Sequence, residues 1–148
     1  MRTRSLLKSD VSLSTNSSSG TGGDFRVYAH TSNAALNVSF SASPPDSHLV
    51  FEGSTKNAPA RAELDAAFEG GFLLRTTQFH PTLHVSPGVK DPTGQGRVRK
   101  VKDRVVAGRA MIGNVSWVPP AEDQLVDADA RAGWASVVTR NAPVTLVL

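Results

Sequence analysis

Apolar and polar residues alternate in short runs along this chain. Phe25, Val27 and Ala29 share one face of such a run, Leu36, Val38 and Phe40 a second, and Val144, Leu146 and Leu148 a third. Period-two alternation is the mark of a half-buried strand, because successive side chains point to opposite faces. Leu49–Phe51, Ala60–Leu64, Phe72–Arg75, Leu83–Val85 and Trp134–Val138 are further short β-type runs. Arg97–Val106 and Ala110–Val118 read as two strands of a hairpin. The pattern predicts an all-β protein.

The segments between paired runs resemble one another. Thr55-Lys56-Asn57-Ala58-Pro59 and Thr139-Arg140-Asn141-Ala142-Pro143 share Thr-x-Asn-Ala-Pro, and Thr31-Ser32-Asn33-Ala34-Ala35 is a relaxed copy. Thr77-Gln78-Phe79-His80-Pro81 reads as a degenerate copy with Phe79 in place of Asn. Asn tolerates a left-handed backbone and bonds to its neighbours, and Pro suits a turn or a strand's first residue. Each unit is therefore expected to be strand, turn, strand. Asn33, Asn57 and Phe79 follow one another at near-constant spacing in the low twenties, while Asn141 comes after a much longer gap. Such repetition predicts a short β-solenoid, with an antiparallel β-sandwich as the alternative. Stacking would align the Asn residues of successive units, and an amide that both donates and accepts can bond along the stack.

Ser17-Ser18-Ser19-Gly20-Thr21-Gly22-Gly23 is linker-like, so residues 1–23 are read as a flexible tail, with Val11–Asn16 as a faint further unit. Residues 24–148 form a single all-β domain with an insertion near 87–133. Ser43-Pro44-Pro45-Asp46, Pro87-Gly88 and Asp91–Gly96 are turn signals, and Asp65–Gly71 reads as a loop or a single helical turn ended by Gly. Residues 119–133 open on Pro119-Pro120 and read as a loop with room for a short helix.

At 148 residues the chain has room for one proper core, and 39% hydrophobic content is ordinary for a folded domain. No run approaches a membrane span, and Met1–Asp10 is basic without the apolar stretch of a secretory signal. A cytoplasmic location is the expectation, with the sequons at Asn16, Asn37 and Asn114 arising by chance. The absence of Cys excludes disulfides, thiolate-bound zinc and a cysteine nucleophile.

The net charge of +3 owes much to Arg97, Arg99, Lys100, Lys102 and Arg104. Basic side chains on an accessible strand can neutralise phosphates. Stacking aromatics are not interleaved there, the nearest being Trp117 on the presumed partner strand, so protection of a sheet edge is the preferred reading. The Asp91–Arg97 turn lacks the order of a phosphate-binding loop. His80 and His84 share a strand face but lie about 13 Å apart at about 3.3 Å per residue, too far to share a metal. Asp127-Ala128-Asp129-Ala130-Arg131 begins like a calcium loop, but Arg131 and Ala132 stand where an acceptor and Gly are needed. No catalytic, cofactor-binding or metal-binding residue is therefore assigned.

Thr31–Ala34, Phe68-Glu69-Gly70-Gly71-Phe72 leading into Leu73–Thr77, Asp91–Arg97 and Thr139–Leu146 together resemble a fungal domain of unknown function, number 7330 in that series, over residues 25–148. The chain is similar, more loosely, to the β-solenoid putative adhesin domains of bacteria. The resemblance implies a stacked all-β fold and no assigned activity. The expected function is a non-catalytic structural or interaction module without cofactor, its partner a protein or a glycan rather than nucleic acid or membrane. The alternatives are a carbohydrate-active enzyme on a β-helix-like scaffold, or a weak anion or nucleic-acid binder through residues 97–104.

Overall fold

Among the residues described by the computed structural model (6–14, 18, 20–120 and 132–148), every regular element is a β-strand. The all-β expectation holds. The strands are β1 (Leu6–Ser12), β2 (Asp24–Thr31), β3 (Ala35–Ala42), β4 (His48–Thr55), β5 (Ala60–Glu63) and β6 (Gly70–Arg75). They continue with β7 (Thr82–His84), β8 (Val98–Val106), β9 (Ala110–Val118), β10 (Gly133–Thr139) and β11 (Val144–Val147).

The strands form two sheets. One has the order β1-β3-β5-β11-β7 and is parallel throughout. The other has the order β2-β4-β10-β6-β9-β8; its first four strands are parallel, and β9 and β8 add an antiparallel hairpin. Four strand–turn–strand units, β2/β3, β4/β5, β10/β11 and β6/β7, each give one strand to each sheet. The order is the same in both sheets and it is not the chain order. The C-terminal unit lies between β4/β5 and β6/β7.

The alternating residues of both sheets meet in one core. Leu36, Val38 and Phe40 from β3 face Leu49 and Phe51 from β4, with Phe72, Leu74, Val137 and Leu146 completing the centre. Phe40 and Phe51 meet edge to face, ring centroids 5.2 Å apart, the arrangement favoured by the ring quadrupole. Phe51 and Phe72 are wholly buried; truncating either to Ala removes about 3–5 kcal/mol.

The turns explain the Thr-x-Asn-Ala pattern, and they correct two expectations. Thr31, Thr55 and Thr139 are register partners across β2, β4 and β10, and Thr76 continues that column after β6. Their hydroxyls donate to the carbonyls of Ala34 (from Thr31 and Thr55) and Ala142 (from Thr139 and Thr76). Buried hydroxyls demand such partners, so the Thr is fixed by the bend between the sheets. In the fourth unit that Thr is Thr76, not Thr77, and the residue at the Asn position is Gln78, not Phe79. The turn Asn residues are also not left-handed. Among the described non-glycine residues only Asp46 and Ala107 have positive φ. Asn is selected by its amide. Asn57 donates to Asn33 and Asn141 donates to Asn57, each at 2.8 Å, while Gln78 donates to Asn141 at 3.4 Å.

The segment read as a tail also differs. Its residues 6–12 form β1, paired in parallel with β3 from Leu6↔Ala35 to Ser12↔Ala42. Leu13 follows, bonding its N–H to the Ala42 carbonyl and packing against the core. Within the 87–133 region, β8 and β9 are the hairpin the alternation implied, and they cap the β6 side of the sheet. The calcium-like segment 127–131 lies outside the described residues.

Candidate functional site

The outer face of the six-stranded sheet gathers aromatic, basic, amide and carboxylate side chains. Alternation puts Arg26, Tyr28 and His30 of β2 on it, with Glu52 and Ser54 of β4, Trp134, Ser136 and Val138 of β10, Arg75 of β6 and Asn114 of β9. The edge strand β8 adds Lys100, Lys102 and Arg104. The outer face of the other sheet is near neutral, with Asn37, Ser39, Thr145 and Thr82 and an Arg61–Glu63 ion pair of 3.5 Å.

Trp134 stands on this face near the start of β10. It is 41% exposed and pairs in register with Gly71 on β6. A Cβ at Gly71 would lie 2.7 Å from Trp134 Cζ3, so glycine is what lets the indole lie over the neighbouring strand. The adjoining Gly70, at φ 143, faces Gly133, and a Cβ there would collide with the Gly133 backbone. Glycine on both strands therefore sets the close approach that seats the indole. Trp134, Ile112, Asn114, Lys102 and Arg104 line a shallow depression of about 420 Å³.

A second depression, of about 470 Å³, lies where β4, β10 and β6 run into their turns. Lys56, Arg75 and Arg140 line it with His30, Thr77 and Val138. His30 Nδ1 and Ser54 Oγ are 2.6 Å apart, and the Thr77 hydroxyl is bonded to the Arg140 carbonyl.

The basic segment expected to act together is divided by the strand. Arg97 and Arg99 point inward, Lys100, Lys102 and Arg104 outward. Arg97 binds Asp91 at 3.0 Å and Glu69 at 3.6 Å. Arg99 is enclosed, its guanidinium 6.0 Å from the Trp117 ring; burial pushes its pKa down and the charge of Asp65 partly offsets that. Burial likewise pushes the Asp65 carboxyl above its usual range, against hydrogen bonds and the charge of Arg99. Trp117 is 3% exposed and donates its indole N–H to the Ala66 carbonyl at 3.0 Å, so it is a core residue and no stacking surface. The aromatic residue beside the outward lysines is Trp134, from a strand distant in sequence.

The Asp91–Arg97 turn is closed by the Asp91 side chain. Asp91, with a side chain 4% exposed, accepts from the backbone N–H groups of Thr93, Gln95 and Arg97 and from the Thr93 hydroxyl. Desolvation opposes its charge, but the Arg97 guanidinium and these N–H groups outweigh that and hold the carboxyl well below the usual range. His80 precedes β7 and His84 is its last residue, both on the side of the other sheet. Among the described residues no three His, Asp or Glu side chains are gathered as a metal site requires.

The outer face thus offers stacking from Trp134, hydrogen bonding from Asn114, Ser136 and Glu52, and concentrated positive charge at one end. No family model matches this chain, and no curated protein or solved structure matches it.

Proposed function

We propose that the chain is a non-catalytic binding module, built as a short β-solenoid, that presents the outer face of its six-stranded sheet to a glycan. The observation that carries the reading is Trp134, exposed and seated over Gly71 with Asn114 alongside. An aromatic face ringed by amide, hydroxyl and carboxylate groups stacks on the apolar face of a sugar and bonds to its hydroxyls. The solenoid reading is supported by the identical order of units in the two sheets and by the amide ladder through Asn33, Asn57, Asn141 and Gln78. A neutral and acidic oligosaccharide array probed with the protein and with Trp134→Ala tests the reading. Binding to one glycan class, lost in the variant while its melting temperature is kept, is the expected result. Equal retention by both proteins removes the platform argument.

A further inference from the structure

The depression at the turn end of the face has a charge that the fold does not neutralise. Lys56 and Arg140 follow the register partners Thr55 and Thr139 and occupy the same place in adjacent units; the Asn141 N–H bonds to the Lys56 carbonyl at 2.9 Å. Arg75 is the register partner of Val138 on the next strand. Three cations, Arg75 at the end of β6 and Lys56 and Arg140 in the turns that follow β4 and β10, therefore line one depression. Among the described residues none of them takes part in an ion pair. The three are exposed and line one depression, so their summed charge is offered to an anion entering it.

We infer that this groove is a subsite for an acidic group, and that the ligand is an acidic glycan bearing carboxylates or sulfate esters. The inference rests on the glycan reading. The volume of about 470 Å³ is in the range of small-ligand sites. Its floor continues past His30, Ser54 and Val138 into a further depression of about 240 Å³ lined by Tyr28, Glu52 and Ser136. Trp134, Ser136 and Val138 lie on one side of β10, so the platform and the cation groove are about 13 Å apart at about 3.3 Å per residue. A short oligosaccharide can span that distance with a ring on Trp134 and an acidic group among Lys56, Arg75 and Arg140.

Glu52 adds an acceptor on this face. It stands beside Ser136 in register, along the floor of the groove. A carboxylate there accepts from sugar hydroxyls. Non-specific single-strand binders stack successive bases on several aromatics, whereas Trp134 and Tyr28 lie two strands apart.

The test is titration of the full chain with an oligogalacturonate, its fully methyl-esterified neutral counterpart, a sulfated dextran oligosaccharide and oligo(U) RNA. The variants are Lys56→Gln/Arg75→Gln/Arg140→Gln, the charge-matched Lys8→Gln/Arg61→Gln/Lys90→Gln, whose residues lie away from the six-stranded sheet's outer face, and Trp134→Ala. The inference expects one acidic saccharide to bind in a salt-sensitive manner and the groove triple variant to weaken it by at least about tenfold. The charge-matched triple should change it by less than about threefold. The two acidic probes tell a carboxylate from a sulfate ester. Equal binding of neutral and acidic saccharides, lost in Trp134→Ala but unchanged in the groove variant, overturns this inference and leaves the glycan reading intact. Preference for oligo(U), lost equally in both triple variants, overturns both, as does failure to bind any saccharide.

Discussion

Asn141 donates its side-chain N–H to Asn57, 84 residues earlier in the chain, at 2.8 Å. Asn57 in turn donates to Asn33 at 2.8 Å. The middle amide therefore both gives and receives, and each bond joins two units through side chains alone. An intramolecular hydrogen bond contributes about 0.5–1.5 kcal/mol net. Asn57→Ala, which breaks two of them, should cost about 1–2 kcal/mol, and Asn141→Ala a similar amount. The double variant should cost less than the sum, because both single variants break the same bond. Denaturant midpoints at constant slope measure this; full additivity would mean that the Asn57–Asn141 bond contributes nothing.

Much of this fold is legible in the sequence, and the illegible part has a definite cause. Alternation in Leu36-Asn37-Val38-Ser39-Phe40 and Val144–Leu148 states which side chains face inward, and Phe40 and Leu146 are buried accordingly. Alternation describes the two faces of a strand and is silent about its neighbours. What places β10 beside β6 is the contact of Gly133 with Gly70 and of Trp134 with Gly71, a fit between distant segments without periodic signature. Pro81 points to Thr77–Pro81 as the fourth turn, whereas the buried Thr76 is the anchor and shifts the unit by one residue. The site had a signal of its own. Trp134 has the parity of Ser136 and opposes Ala135 and Val137, so a large aromatic stands on the solvent side. The basic residues after Thr55 and Thr139 mark the groove in the same way.

The β8–β9 hairpin turns at Ala107-Gly108, both with positive φ, at 52 and 68, and the Arg109 N–H returns to the Val106 carbonyl at 3.3 Å. This is the I′ turn, for which Asn-Gly is the preferred pair. A left-handed Ala costs about 1–2 kcal/mol that Asn largely avoids. Ala107→Asn should raise stability by about 1 kcal/mol, and Ala107→Val should lower it by about 1–3 kcal/mol. Thermal or denaturant melts of the two variants decide it, and a destabilised Ala107→Asn would refute the turn assignment.

Asp91 ties the 91–97 loop to Arg97 as a charged carboxylate. Its folded pKa lies below the ordinary value of 3.8, so folding favours the deprotonated form. The stabilisation is present in full above about pH 5, where an unfolded carboxylate is also ionised, and is lost as pH falls through and below 3.8. Asp91→Asn removes the charge but keeps the shape. The stability gap between wild type and variant should hold constant from about pH 7 to pH 5 and narrow steadily at lower pH. A gap that widens in acid contradicts the sign.

The position of the last unit can be tested with a covalent bond, because the chain has no Cys to confuse the result. Neighbouring strands lie about 4.8 Å apart, which suits a disulfide, for which the Cα atoms must be about 4.4–6.8 Å apart. Asn57 and Asn141 follow the paired residues Thr55 and Thr139, so they are neighbours. Asn57 and Gln78 have the Asn141 unit between them and are about 9.6 Å apart at that strand spacing. In a stack that followed chain order these distances would be exchanged, with Asn57 beside Gln78. The two double variants, Asn57→Cys/Asn141→Cys and Asn57→Cys/Gln78→Cys, therefore give opposite answers under mild oxidation of the folded protein. The first should close to a disulfide, seen as a mass loss of two hydrogens and one cross-linked peptide after proteolysis, and the second should keep both thiols. Closure of the second with the first left open would show that the units stack in the order of the chain.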